Sequence, residues 1–196
     1  MVENGVRLGP TERREQLLTA ALQTFGAKGF ALTSMNDIAI AASVTKPVLY
    51  QHFDSKHELF LEVLTSTAGQ LNSAIAEILT HSATGREKVE RSIAVYVDFF
   101  DEFPENYQVL FGEGVRSEPA FASELRIIEG TLHDLMADHI EIEKLDKDLR
   151  RLAAEAISGL LEAGVGRWLD EGKRQSASQV ASLLSSLAWR GLRAAP

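Results

Sequence analysis

The chain has 196 residues, no Cys, 45% apolar residues and a formal net charge of −8, which suits one large or two small domains with a proper core and excludes a disulfide-stapled secreted scaffold. The first ten residues lack the basic-then-apolar layout of a signal peptide, and no apolar run approaches the length of a membrane span, so a cytoplasmic protein with no membrane partner is expected. The negative charge is unevenly spread: residues 1–57 hold six basic and five acidic groups, or +1, which leaves −9 for the rest. An acidic body with a less acidic head turns that head toward a phosphate backbone, although an acidic surface also serves solubility.

Residues 1–10, with two Gly and one Pro, read as a flexible arm. Thr11 then caps a helix whose face is Leu17, Leu18, Ala21, Leu22 and Phe25; Gly29 supplies a left-handed stop and Phe30 packs back after it. Thr33 or Ser34 caps a short second helix with Ile38, Ala39 and Ala42 on one face, and Ala41, Ala42 and Ser43 are small enough for a close crossing. Val44 plugs the turn. Thr45 caps a third helix with Lys46 and Pro47 in its first turn, where the missing N–H of a proline costs nothing. With Leu49 and Phe53 facing the core, Lys46, Pro47, Val48, Tyr50 and Gln51 lie outward. A cation, two apolar groups, a phenol and an amide suit a DNA major groove, where Lys reaches guanine acceptors, Gln pairs with adenine and apolar groups touch a thymine methyl. The stretch Thr33–Phe53 is a helix-turn-helix.

Asp54 or Ser55 caps a long helix with Leu59, Phe60, Val63, Leu64, Ala68, Leu71, Ile75 and Leu79 as its stripe, reaching to about Thr80 and spanning roughly 35–40 Å, a lever between head and body. Lys56 and the backbone N–H groups at its start form a phosphate clamp, and His57 is plain surface. After a break at His81–Gly85, helices are predicted over 86–103, 105–114, Pro119 to about Ile142, 146–171 and 176–193. The fold class is therefore all-α with about nine helices: an arm over 1–10, a helix-turn-helix domain over 11–56 and a larger body over 57–196. Seven of the twelve Phe and Tyr residues lie between 96 and 121 (Tyr96, Phe99, Phe100, Phe103, Tyr107, Phe111 and Phe121); on the residues alone they read as a ring-rich core. The last two helices set small residues beside large ones, among them Leu160, Trp168, Leu184 and Leu187.

No catalytic constellation, cofactor motif or metal site is expected. His133, Asp134, Asp138 and His139 share one helix, but the two imidazoles point about 240° apart at about 100° per residue. Phosphate loops, dinucleotide motifs and nucleophile elbows are missing.

At its core motif the chain resembles the tetracycline-repressor-like (TetR) family of bacterial transcription regulators. Thr33, Ile38, Ala39, Ala42, Val44, Tyr50, His52, Phe53, Lys56 and Leu59 match the family pattern, while Ser43 replaces the turn Gly, Thr45 a Ser and Pro47 a second Gly. The resemblance implies a homodimeric repressor on a palindromic double-stranded DNA operator, released by a small, largely apolar effector. It implies groove contacts by Lys46, Pro47, Val48 and Tyr50, beside Thr45, phosphate contacts by Ser34, Tyr50, His52 and Lys56, and base contacts by Asn36 and Gln51. It turns the ring cluster into an effector cavity, and the last two helices, with Leu160, Trp168, Leu184 and Leu187, into a dimer interface. The stretch YQVLFGEGVRSEP is similar to actinobacterial members that control lipid synthesis and sense acyl-CoA. The competing class is an all-helical ligand carrier or enzyme with an incidental helix-turn-helix.

Overall fold

The computed structural model describes residues 9–142 and 145–194; most of the expected N-terminal arm lies outside the described residues. Those described form ten helices and no strand. The first, α1 (Pro10–Leu32), is capped two residues before the expected Thr11, by Gly9, whose N–H the Glu12 carboxylate accepts at 2.9 Å. Helical geometry breaks at Gly29, whose φ of +74° suits a residue without Cβ, and Phe30 folds back onto the core rings. The short α2 (Met35–Ala41) is capped by Ser34, whose Oγ accepts from the Asp37 N–H at 3.1 Å.

The turn into α3 (Lys46–Tyr50) solves the problem posed by the missing glycine directly: Ser43 itself takes φ +54°. Around it, the Val44 N–H donates to the Ala39 carbonyl at 2.9 Å, and the Gln16 amide donates to the Ala42 carbonyl at 3.0 Å. These bonds tie the turn to α1 and offset the cost of the left-handed residue.

Ser55 caps α4 (Lys56–His81), accepting the Glu58 N–H at 3.1 Å; its 26 residues span about 39 Å. The body follows as α5 (Gly85–Glu102), α6 (Glu105–Phe111), the single turn α7 (Glu113–Ser117), α8 (Pro119–Asp138), α9 (Lys147–Asp170) and α10 (Ala177–Ala194). Helix α10 lies along α5, α8 packs on both α4 and α9, and α1 crosses onto α6. One hydrophobic core runs from Leu17 and Leu49 through Leu64 and Phe100 to Val165 and Ala188, so head and body share an interior.

Their seam is aromatic. Phe121 of α8 stands 4.8 Å from Phe30 and 4.6 Å from Phe60, Phe60 stands 4.8 Å from Phe25, and His57 stacks on Phe121 at 4.4 Å. Such pairs contribute about 0.5–1.5 kcal/mol each beyond their buried area. His57 is thus a joint between head and body rather than the plain surface expected of it.

Candidate DNA interface and ligand cavity

The expected reading face is presented to solvent. Ser34, Asn36, Thr45, Lys46, Pro47, Tyr50 and Gln51 are exposed, and Val48 and His52 are half-buried. Thr45 occupies the N-cap of α3 with extended backbone, yet its hydroxyl makes no capping bond, contrary to the sequence expectation. The Lys46 ammonium lies 5.7 Å from the Tyr50 ring centroid, which steadies both side chains on the exposed side of α3. Ser34 is occupied by the cap it makes with Asp37. The Ser34 hydroxyl also donates to the Asp37 carboxylate, and with the Lys28 ammonium 2.9 Å away this holds the Asp37 carboxyl well below the usual carboxylate range.

Lys56 is turned inward, not outward as a phosphate clamp. Half-buried, its ammonium donates to the carbonyls of Phe30 and Thr33, each at 2.9 Å, and sits 4.3 Å above the Phe30 ring. Arg14 also holds the frame: its guanidinium donates to the His52 carbonyl at 2.9 Å, pairs with Glu62 and covers the Phe53 ring at 4.4 Å. Nothing in the motif spacing singles Arg14 out. With Arg14, Lys28 and Lys56 engaged, Lys46 is the cation on the exposed side of α3 without an acidic partner among the described residues.

Among the described residues, two adjoining chambers lie between the helices of the body. The larger, of about 380 Å³, lies among α4, α5, α8, α9 and α10 and is walled by aliphatic residues such as Ile75, Leu79, Val89, Ile93, Leu132 and Ile157. Its solvent end carries Lys88, Glu141, His139 and Arg193, with Lys88 3.3 Å from Glu141. The buried Ser92 hydroxyl, also in this wall, has no hydrogen-bond partner among the described residues. The smaller chamber, of about 190 Å³, shares Tyr96, Leu132 and Ser158 with the first and is completed by Ala68, Leu71, Phe111, Leu125, Ile128, Glu129 and His133. Burial pushes the Glu129 carboxyl up, with the Glu162 charge adding to it, and pushes the His133 imidazole down.

Of the seven rings expected to line a cavity, Tyr96 borders both chambers and Phe111 the smaller, whereas Phe99, Phe100, Phe103, Tyr107 and Phe121 line neither. Phe100 is fully buried between Tyr96 at 5.0 Å and Phe99 at 5.1 Å. Tyr107 donates its hydroxyl to the Glu162 carbonyl at 3.0 Å, Phe103 is left 46% exposed at the end of α5, and Phe121 belongs to the seam with the head.

His133 and His139 face different chambers and Asp134 pairs with Arg151. Trp168 and Leu184 also turn inward: Trp168 donates its indole N–H to the Gln175 carbonyl at 2.9 Å, and Leu184 packs beside Gly164. Leu160 is half-buried. Leu187 is half exposed and shares its face with the exposed Leu183, while α9 exposes Leu152, Ala156, Gly159 and Ala163 at helical spacing.

An exposed recognition helix on a wholly helical body with apolar chambers defines a helix-turn-helix DNA-binding regulator. Residues 17–63 match the family model for bacterial regulatory proteins of the tetR family. The chain is 30% identical over 193 residues, 98% of its length and 88% of the relative's, to the HTH-type transcriptional activator FasR of Mycolicibacterium smegmatis. It superposes with a TM-score of 0.81 and 30% identity on a TetR-like transcriptional regulator from Rhodococcus sp. RHA1, covering 96% of this chain and all of that one. FadR from Bacillus subtilis, solved in complex with stearoyl-CoA, shares the fold with a TM-score of 0.78 at 18% identity, over 89% of this chain and 96% of that one. The chain belongs to the TetR family of bacterial transcription regulators, and among the described residues no helix is long and apolar enough to cross a membrane.

Proposed function

We propose that this regulator works in the cytoplasm as a homodimer whose two heads read a near-palindromic operator and let go when an acyl ligand with an anionic head fills the body. The observation that carries this is the larger chamber: aliphatic walls for a tail, with Lys88 and Arg193 at the solvent end for a carboxylate or phosphate. Its volume falls within the range of about 300–1,000 Å³ usual for small-molecule sites. The names of the relatives support the same ligand class, since FadR was solved with stearoyl-CoA. An incoming anion competes with Glu141 for Lys88.

Two recognition helices must meet successive major grooves roughly 34–36 Å apart, so a small change in their separation costs contacts on at least one half-site. Turning occupancy from about 99:1 to 1:99 requires a ligand that prefers the released form about 10⁴-fold, or about 5.5 kcal/mol. At about 25 cal/mol per Å², some 220 Å² of extra apolar contact supplies that. Operator position relative to the promoter sets whether occupancy represses or activates.

The test is a gel shift on DNA flanking the protein's own gene, at two salt concentrations, with acyl-CoAs and free fatty acids added separately. Specific, salt-sensitive binding relieved by one of the two supports the reading and identifies the anionic group. Binding that no lipophilic anion relieves would refute the ligand. For the dimer, Leu187→Arg is expected to give monomers by sedimentation; a Leu187→Arg protein that remains dimeric moves the interface elsewhere.

A further inference from the structure

The two chambers are separated by a thin partition. Tyr96 of α5, Leu132 of α8 and Ser158 of α9 border both. Tyr96 is buried, and its ring stands edge-on to that of Phe100 at 5.0 Å between centroids, an apolar contact that fixes no single ring position as a hydrogen bond would. On one side of the partition lies the cationic end at Lys88. Beyond it lie Ala68 and Leu71 of α4 and Leu125 and Ile128 of α8, on the two helices that also carry Phe60, His57 and Phe121 at the seam with the head.

We infer that Tyr96 is a chain-length gate: a short tail stays in the larger chamber, and only a tail long enough to displace the Tyr96 ring enters the smaller one and loads α4 and α8. This rests on the acyl-ligand reading above. Lys88 and Tyr96 are eight residues apart on α5, about 12 Å at 1.5 Å per residue. An extended hydrocarbon advances about 1.25 Å per bond, given bonds of about 1.5 Å at about 111°. A tail anchored at Lys88 therefore meets the partition after roughly ten to twelve carbons. Each further methylene buried beyond it adds about fourfold to affinity. The far chamber is lined by Glu129, Glu155 and Glu162 and by no Lys or Arg, so an anionic head finds its cation only at the Lys88 end, which sets the direction of entry.

The experiment measures, on the full-length protein, dissociation constants and operator release for saturated acyl-CoAs of roughly six to eighteen carbons, a range that spans the partition. Wild type should show a break in affinity near ten to twelve carbons, about the length estimated above, and release only above it. Ala68→Leu, which fills the far chamber from α4, should leave short chains within about twofold and weaken a chain reaching about four methylenes past the partition by on the order of 10²-fold. Ile128→Phe fills the same space from α8, and agreement between the two variants separates plugging from damage to the fold. Tyr96→Ala should abolish the break, so that affinity climbs smoothly with length. Plugs that weaken all lengths alike or leave long chains untouched, or a break that survives Tyr96→Ala, would overturn the gate while the acyl reading stands. If no acyl chain binds wild type, the ligand reading falls and the gate with it.

Discussion

Gly26 offers a sharp check on how the head is set against the body. It lies inside α1, where Ala is favoured over Gly by about 0.5–1 kcal/mol, so local propensity alone makes Gly26→Ala stabilising. The crossing with α6 argues the opposite. A Cβ at this position would lie 2.3 Å from the Glu105 Cβ, 2.9 Å from its Cα and 3.0 Å from its carbonyl oxygen. Carbon atoms settle at about 3.5–4.0 Å, so α1 and α6 must part by about 1 Å or more, and no rotamer of Glu105 relieves contacts made by its own backbone. Overpacking of this kind costs about 1–3 kcal/mol. Net of propensity, Gly26→Ala should lose about 1–2 kcal/mol, a fall in Tm of about 2–8 °C for a chain of this size. Because the head is displaced against the body in both protomers of the proposed dimer, operator affinity should fall about tenfold, or about 1.4 kcal/mol. Thermal melting and gel shifts of Gly26→Ala, Glu105→Gly and the double variant close the cycle. The double variant should recover part of both losses. A Gly26→Ala protein that melts higher than wild type and binds its operator normally would refute the close crossing.

Ser43→Gly should raise Tm by about 1–4 °C: it relieves a left-handed residue costing about 1–2 kcal/mol and gives back about 0.5–1 kcal/mol in unfolded-chain entropy. Lys56→Ala should lower stability by about 1–3 kcal/mol by stripping the Phe30 and Thr33 carbonyls of their donor, while leaving the salt slope of DNA binding unchanged. Lys46→Ala should do the reverse, melting like wild type but losing about 1–3 kcal/mol of discrimination if the ammonium reads a guanine, measured against mutated operators. Glu129 has its pKa raised by burial, so its contribution to stability is present below the ordinary Glu range and lost as pH rises through the raised value. Glu129→Gln should therefore be more stable than wild type at pH 7 and gain nothing at pH 4, with melting curves across that interval as the readout.

The head was legible because its signals are local. A cap, a proline in a first turn and Leu49 and Phe53 four residues apart each act over one helical turn, and a chain cannot carry them at that spacing without folding them nearly as found. The chambers were not legible, because a void is what remains after helices distant in sequence have packed. Ile75, Val89, Leu132 and Ile157 are ordinary stripe residues of four helices, with nothing to separate a wall from a core. The ring cluster misled for the same reason: Phe100 and Phe121 are large and apolar, so they fill space, and the rings that border space, Tyr96 and Phe111, do so by their place in the crossing. Leu184 and Leu187 lie three residues apart and share a face in projection. The choice between them depended on where α9 sits, which put Leu184 against Gly164 and left Leu187 outside. Lys56 fits the family pattern, but the carbonyls that claim it come from a chain reversal at Gly29 more than twenty residues away.

The unbroken interior from Leu17 to Ala188 bears on how such regulators can be recombined. A head transplanted onto a foreign body would arrive with Phe25, Phe30 and Phe60 already packed on one another but with the socket for Phe121 empty, and with α1 shaped at Gly26 for a neighbour that is no longer there. The same continuity denies the first fifty or so residues a life as a separate fragment, since Leu59, Phe60, Val63 and Leu64 of α4 close their underside. A working chimera would need its junction cut through the middle of α4 and would have to carry Phe121 and the Glu105 crossing across with the head, as one inherited block.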